Sequence, residues 1–271
     1  MIGYGKAELC CSPRERRRKM DGCYRLADRI IRIRSIYPEV QEMCAAYRAE
    51  GTPDFSVECR QEHIDAEREH AAREDALEGR KPRDWSEAYL ETLAVYRQIA
   101  EKLPDYDTVL FHGSALAADG TAYLFTARSG TGKSTHARLW REALGDRVVM
   151  INDDKPLLRI AETGAAVYGT PWDGKHHLSG NLSAPLKAVC ILERSPVNRI
   201  ARISPREAYA FLLQQCYRPA DAGAMGKTLA LLDRLTRVTE LFRLGCNMDP
   251  EAALTACEGM GVSGVRSRSP S

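Results

Sequence analysis

The sequence predicts an α/β fold: a mixed sheet with flanking helices over residues 105–260, preceded by a small α/β lobe and helical connector over 1–104 and followed by a disordered tail over 261–271. Three observations carry this. Short apolar runs separated by two-residue turn signals fill the centre of the chain, as strands do. Charged, amphipathic stretches lie on both sides of them. A glycine-rich loop joins an apolar run to an amphipathic segment at 127–134, the strand–loop–helix order of α/β proteins.

In chain order, "RIIRIR" (29–34) alternates with period two and predicts a strand, and "FSVEC" (55–59) a second. Residues 39–49 and 61–80 are charged and alanine-rich and predict helices. "RDWSEAYLETLAVYRQIAEKL" predicts a stronger one, with Tyr89, Leu93, Tyr96, Ala100 and Leu103 on one apolar stripe and Pro104 as its stop. "TVLFHGSALA" and "TAYLFTA" flank Asp119-Gly120, a hairpin signal. "RVVMI" predicts a buried strand, "PLLRI" and "AAVYG" a second hairpin around "AETG", and "LKAVCILE" a further strand. Ser204-Pro205-Arg206-Glu207 has the form of a helix start with a capping box. "KTLALLDRLTRVTELF" continues helical, and Asp249-Pro250 opens a last short helix ending near Gly259. The tail "GVSGVRSRSPS" lacks core formers.

Composition narrows the function classes. A formal net charge of +2 over 271 residues gives no basis for nucleic-acid or membrane-surface binding. No apolar run approaches the roughly 20 residues a bilayer span needs, and the N-terminus has no apolar stretch of signal-peptide type. Nine cysteines without a C-x-x-C pair fit reduced thiols of a cytoplasmic protein and argue against a zinc site. Oligomeric state stays open.

Residues 127–134, A-R-S-G-T-G-K-S, match the phosphate-binding template G-x-x-x-x-G-K-[ST] with Ala127 in place of the first glycine. Alanine fits there if its backbone angle is ordinary. Gly130 and Gly132, nearest the phosphates, are intact and let backbone N–H groups converge on an anion. The stretch Ser129, Gly130, Thr131, Gly132, Lys133, Ser134 and Thr135 is the expected nucleotide cradle. Lys133 reaches the outer phosphates, Ser134 binds Mg²⁺, and a helix starting at Lys133 adds its positive end.

The strand after that helix ends in Asn152-Asp153-Asp154, on the same sheet edge as the loop. Neighbouring strand residues face opposite ways, so one aspartate faces the phosphates more directly. If Asp119 and Gly120 are the turn pair, Ala118 faces Thr121 and His112 falls opposite Ala127, at the mouth of the phosphate loop. That placement allows pairing with an aspartate. The long loop "YGTPWDGKHHLSG" (168–180) offers Lys175, His176 and His177 for an anionic substrate or the moving phosphate, or serves only as a surface connection.

"FHG" before the loop strand, "SGTGKST" and "NDD" at the next strand end together resemble the HPr kinase/phosphorylase group of the phosphoenolpyruvate-carboxykinase-like P-loop fold, over roughly residues 109–195. The resemblance implies that His112 assists an aspartate base, with Asp153 as that base and Asp154 as the metal ligand. It does not extend to the N-terminal lobe, and the family's Glu and Arg-Gly segment is not evident around Val167-Tyr168-Gly169. The acceptor is therefore open. The expected function is an ATP- and Mg²⁺-dependent kinase acting on a hydroxyl, a serine by resemblance, of a protein, peptide or small molecule. The alternative is a nucleotide-binding regulator or scaffold without turnover.

Overall fold

The computed structural model describes residues 19–77, 79–174 and 177–264. Strands β1 (Met20–Leu26) and β2 (Arg29–Ser35) form an antiparallel hairpin closed by Ala27 and Asp28, both left-handed at φ 47° and 63°. Strand β1 was not expected, because "MDGCYRL" lacks clean alternation and Ala27-Asp28 lacks the usual turn residues. Strand β3 (Phe55–Glu58) joins β2 in parallel. The helix expected over 39–49 is a five-residue helix α1 (Glu39–Met43) and a tight turn at Ala45–Tyr47. Helices α2 (Gln61–Leu77) and α3 (Glu87–Lys102) follow, the latter capped by Ser86, whose Oγ accepts from the Tyr89 amide.

The buried face of α3 keeps Tyr96 and Ala100 of the expected stripe, with Leu103 buried just past the helix end, and is broader than the stripe. Leu90, Ala94, Val95 and Ile99 are buried, while Tyr89 is 42% exposed and stacks on Trp85. The lobe does not keep a core to itself. Tyr24, Ile31, Ile33, Ile64, Leu90 and Ile99 share one apolar cluster with Leu110, Leu157 and Trp172 from the far side of residue 104.

The main sheet contains β4 (Thr108–Leu110), β5 (Ser114–Ala118), β6 (Thr121–Thr126), β7 (Val148–Asn152), β8 (Leu157–Ala161), β9 (Gly164–Tyr168) and β10 (Ser183–Arg194), in the order β4-β8-β9-β10-β6-β5-β7. The run 108–117 is two strands, not one. Between them the amides of Phe111, His112 and Gly113 donate to Pro156, Gln215 and Asp154 carbonyls instead of to a sheet neighbour. The β5–β6 register is the expected one, Ala118 opposite Thr121 through Ser114 opposite Phe125. Helix α4 (Lys133–Leu144) follows β6.

Helices α5 (Pro205–Gln215) and α6 (Ala222–Val238) pack beside the sheet, and α7 (Glu251–Gly259) on α4. The capping box at Ser204 and Glu207 forms. The helix expected over 227–242 forms as far as Val238 within α6. After β11 (Arg199–Arg202), not singled out in the sequence, β12 (Glu240–Cys246) takes the last three residues of that expected helix, Glu240–Phe242, into a strand. It pairs in parallel with β10 and buries Leu241, Phe242 and Leu244, a tertiary gain that overrides local helix preference. The expected disorder of 261–271 holds for none of its first four residues' placement: Val262 is buried in the core and the Ser263 carbonyl accepts from Arg147. Residues 265–271 lie outside the described residues. No helix among the described residues is long and apolar enough to cross a membrane.

Candidate functional site

Ala127 is fully buried and absent from the residues with positive φ, so the missing first glycine costs the loop nothing in backbone strain. The two glycines that follow are left-handed, Gly130 at φ 74° and Gly132 at φ 119°, a geometry that L side chains rarely adopt. Gly132 starts α4, which leaves the unpaired N–H groups of its first turn at the loop. Arg194, at the end of β10, holds the loop from below by donating to the Gly130 carbonyl at 2.5 Å.

A cavity of about 710 Å³ opens beside the loop, lined by Gly132, Lys133, Ser134, His112, Asp153 and Asp154. The structure thus brings the expected acids, lysine, serine and histidine around one space, together with Gly130 and Thr135. Thr131 faces a different cavity, and Ser129 is exposed and lines neither. Burial pulls the Lys133 ammonium below its usual pKa, offset in part by the Asp154 charge. Lys133 makes no ion pair among the described residues.

The two aspartates diverge because of Asn152. Its side-chain oxygen accepts from the amides of Asp154 (2.9 Å) and Lys155 (2.6 Å), folding the strand end into a turn. Its Nδ2 donates to Thr170 and Trp172 carbonyls, tying the 170–172 segment to the same turn. Asp153 faces the loop at 174–179: its Oδ1 accepts from the Gly174 amide at 2.5 Å and from the Ser179 hydroxyl at 3.4 Å. Its Oδ2 makes no hydrogen bond with a described residue. A Cβ on Gly174 would sit 2.7 Å from Asp153 Oδ2, so a larger residue here displaces the carboxylate or the loop.

His112 meets Asp154, not Asp153. Its Nε2 lies 3.3 Å from Asp154 Oδ1, and its Nδ1 lies 3.2 Å from Gln215 Oε1. The expected partnership of His112 with Asp153 is corrected on this point, and the Asn152 turn is the reason. A carboxylate at Nε2 makes that nitrogen the donor. Burial pushes the Asp154 carboxyl up, but the His112 hydrogen bond and the Lys155 ammonium, 3.3 Å away, outweigh it and hold the group below the usual carboxylate value.

Asp154 also borders a second cavity, of about 620 Å³, between α3 and the 171–177 loop, with Tyr96, Lys155 and Trp172 among its walls. His177 lies in that second cavity, exposed and paired to Asp173 at 3.0 Å, and not beside the phosphate loop. Lys175 and His176 lie outside the described residues. Sequence reasoning missed Asn152, Gly174, Ser179 and Gln215. Asn152 stood in the quoted "NDD" and Gly174 in the quoted loop, so both had a signal; Gln215, 103 residues from His112, had none.

No family model matches this chain, and no curated protein matches its sequence. Among solved structures, the HPr(Ser) kinase/phosphatase from Coxiella burnetii aligns with 54% of this chain and 89% of that one, at 10% identity and a TM-score of 0.29. So shallow an overlap carries no functional weight, and the site stands on its own geometry within a mixed α/β fold.

Proposed function

We propose that the chain is an ATP- and Mg²⁺-dependent kinase that transfers the terminal phosphoryl group to a hydroxyl. One observation carries the reading: the carboxylate of Asp154, braced by His112, lines both the cavity of the phosphate loop and the neighbouring cavity under α3. A base between a donor space and an acceptor space is what in-line phosphoryl transfer requires. The quoted resemblance to the HPr kinase group points the same way.

In this reading the loop amides and Lys133 grip the triphosphate. The acceptor hydroxyl enters from the α3 side. Asp154 takes its proton as the oxygen bonds to the terminal phosphorus and the bond to the bridging oxygen breaks, leaving a nucleoside diphosphate. His112 acts through Asp154 and is a positioning residue. Asp153, fixed through one oxygen and unbonded at the other, is with Ser134 the pair that would hold Mg²⁺, which when bound neutralises charge on the phosphates. The described residues contain no group of three or more His, Cys, Asp or Glu suited to a metal. That suits Mg²⁺, which keeps water and phosphate as most of its ligands. The roles of the two aspartates are thus exchanged relative to the sequence expectation.

The test is transfer from γ-labelled ATP, first to a lysate separated into protein and small-molecule fractions, then to the labelled component purified. Lys133→Ala should weaken Mg-ATP binding by roughly 10- to 150-fold, the equivalent of one charge-assisted contact, with an unchanged far-UV spectrum. Transfer to no hydroxyl, with nucleotide still bound, would leave the non-catalytic nucleotide-binding regulator as the correct reading.

A further inference from the structure

The cavity under α3 has a charge and wall chemistry that narrow what it can take. Tyr96 and Trp172 meet in its wall, 5.5 Å between ring centroids. Four carboxylates line it, from Glu39, Glu74, Asp154 and Asp173, against the cations of Arg97 and Lys155. Both cations are already committed. Lys155 lies 3.3 Å from Asp154, and Arg97 lies 2.5 Å from Glu67, a carboxylate outside the cavity lining. Asp173 and Glu74 have only histidines as ion-pair partners among the described residues, His177 at 3.0 Å and His70 at 3.8 Å. Glu39 makes no ion pair with a described residue. The cavity therefore carries negative charge that its own cations do not balance.

Tyr96 supplies an independent sign of a ligand. It is only 8% exposed, and its hydroxyl makes no hydrogen bond with a described residue, although buried polar groups are normally paired. Nor is that oxygen sealed in the core: the fully enclosed unpaired atoms include those of Gln98, His136 and Trp140, and not the Tyr96 hydroxyl. What opening it has is to the cavity it lines. Burial, and then the charge of Asp154, push the phenol well above its ordinary pKa, so near pH 7 it is a neutral hydroxyl able to donate and to accept. An unpartnered hydroxyl that feels the Asp154 charge calls for a polar group placed between the two.

We propose that the acceptor is an alcohol that also carries a positive charge, an ammonium or guanidinium on the same molecule as the reacting hydroxyl. Its hydroxyl lies between Tyr96 and Asp154, and its cation lies against Glu39, Glu74 and Asp173, with the aromatic wall favouring it further. The hydroxyl proton passes to Asp154 as the new bond to phosphorus forms, as in the transfer described above. The inference rests on the kinase reading and gives its acceptor site a charge preference and a hydroxyl-binding residue. A free amino alcohol and a serine beside a lysine in a peptide present this same chemistry. An acceptor with a carboxylate in place of the cation meets uncompensated like charge and is rejected.

Aminobutanol, butanediol and hydroxybutyrate match in length and differ in the charge of one end. Offered to the full chain with Mg-ATP, the amine should show a kcat/KM at least ~10-fold above the diol, the equivalent of one charge-assisted contact, and hydroxybutyrate should be the poorest. Two serine peptides, one with lysine and one with glutamate near the serine, distinguish a peptide-borne cation from a free one, and the lysine peptide should be the better of the pair. The double variant Glu39→Gln with Glu74→Gln should shrink the amine-to-diol ratio. Tyr96→Phe keeps the ring against Trp172 and should lower kcat for every alcohol by roughly 2- to 10-fold, the loss of one hydrogen bond, with the ratio unmoved. Calorimetric titration of the amine and the diol reads the same preference without turnover. Preference for the diol or for hydroxybutyrate, or a ratio unmoved in the double variant, overturns the charge preference while the kinase survives. Amine binding with no transfer to any alcohol overturns the kinase and keeps the cavity assignment. Neither binding nor transfer overturns both.

Discussion

The phosphate-loop segment, residues 126–154, and the 169–182 loop stand on either side of the same two aspartates, and they are built by different means. The first is made from neighbours in sequence: β6 delivers the loop, α4 supplies the free amides, and β7 returns with the acids. The second has almost no structure of its own and is held at a distance. Asn152 ties down Thr170 and Trp172, Trp172 Nε1 donates to the Thr92 carbonyl in α3, and the Asn181 side chain donates to the Ala46 carbonyl. The phosphate-loop side is therefore set by local geometry, and the 169–182 side by packing against the N-terminal lobe. In the proposed kinase reading, variation in the lobe would reshape acceptor choice without disturbing the nucleotide grip.

The most severe break in this contrast comes at Asp154, where the two sides meet. Asp154→Asn should lower turnover by roughly 10²- to 10⁴-fold, the range for loss of a general base, with nucleotide affinity changed by only a few-fold. Asp153→Asn should instead raise the Mg²⁺ concentration needed for half-maximal rate and recover at saturating metal. Steady-state rates across a Mg²⁺ series check both. The opposite pair of phenotypes would mean that the His112 contact does not mark the proton acceptor.

A second test concerns the phosphate side alone. The His136 ring takes a proton near 6.5 when unfolded and near 4 when folded, because burial disfavours its charged form. Between those values the unfolded chain binds more protons, so acidification favours unfolding. The loss begins as pH falls through 6.5 and reaches about 3 kcal/mol by pH 4. Denaturant midpoints measured from pH 7 to 4 should fall less steeply in His136→Phe. Equal slopes would show that the ring titrates normally and is not buried as described.

These differences explain how much was legible in sequence. The Lys133 loop, the Asp pair and the β5–β6 register each depend on contacts within a strand–loop–helix unit or a two-residue hairpin, so spacing alone made them legible; His112 lies beyond the end of that ladder and is held by Gln215 instead. The split of Asp153 from Asp154 depends on one side-chain oxygen of Asn152, and alternation along an extended strand could not reveal it. That the last residues of the helix-like run, Glu240–Phe242, turn into β12 was decided by an open parallel position on β10. Strand β1 was decided by Ala27 and Asp28 accepting left-handed angles. Gln215 acts across 103 residues, where periodicity carries no information.

Gly174 offers a milder way to disturb the acceptor side. A methyl group there would stand 2.7 Å from Asp153 Oδ2 and 3.0 Å from its Cγ, so Gly174→Ala must displace the carboxylate or the loop. A stability cost of about 1–3 kcal/mol follows from overpacking. The Mg²⁺ requirement should rise as it does in Asp153→Asn, and phosphate-loop affinity for tripolyphosphate should hold. Unaltered metal dependence would separate the Gly174–Asp153 contact from metal binding.

The smallest effect belongs to Gln215, the last residue of α5. That helix end holds His112 twice: the Gln215 carbonyl accepts from the His112 amide at 2.8 Å, and the side-chain amide meets Nδ1 at 3.2 Å. Only the second contact is lost in Gln215→Leu, so the backbone placement of His112 survives and the ring becomes free to turn. One hydrogen bond is worth about 0.5–1.5 kcal/mol, which sets the fall in kcat at roughly 2- to 10-fold. Because His112 acts through Asp154 and touches no phosphate in the proposed arrangement, KM for the nucleotide should not move. Gln215→Met keeps the side-chain length without its hydrogen bond and should lose as much of the rate as leucine does. A loss expressed in KM, or a methionine variant with the wild-type rate, would mean that Gln215 supports the fold of α5 and not the orientation of the His112–Asp154 pair.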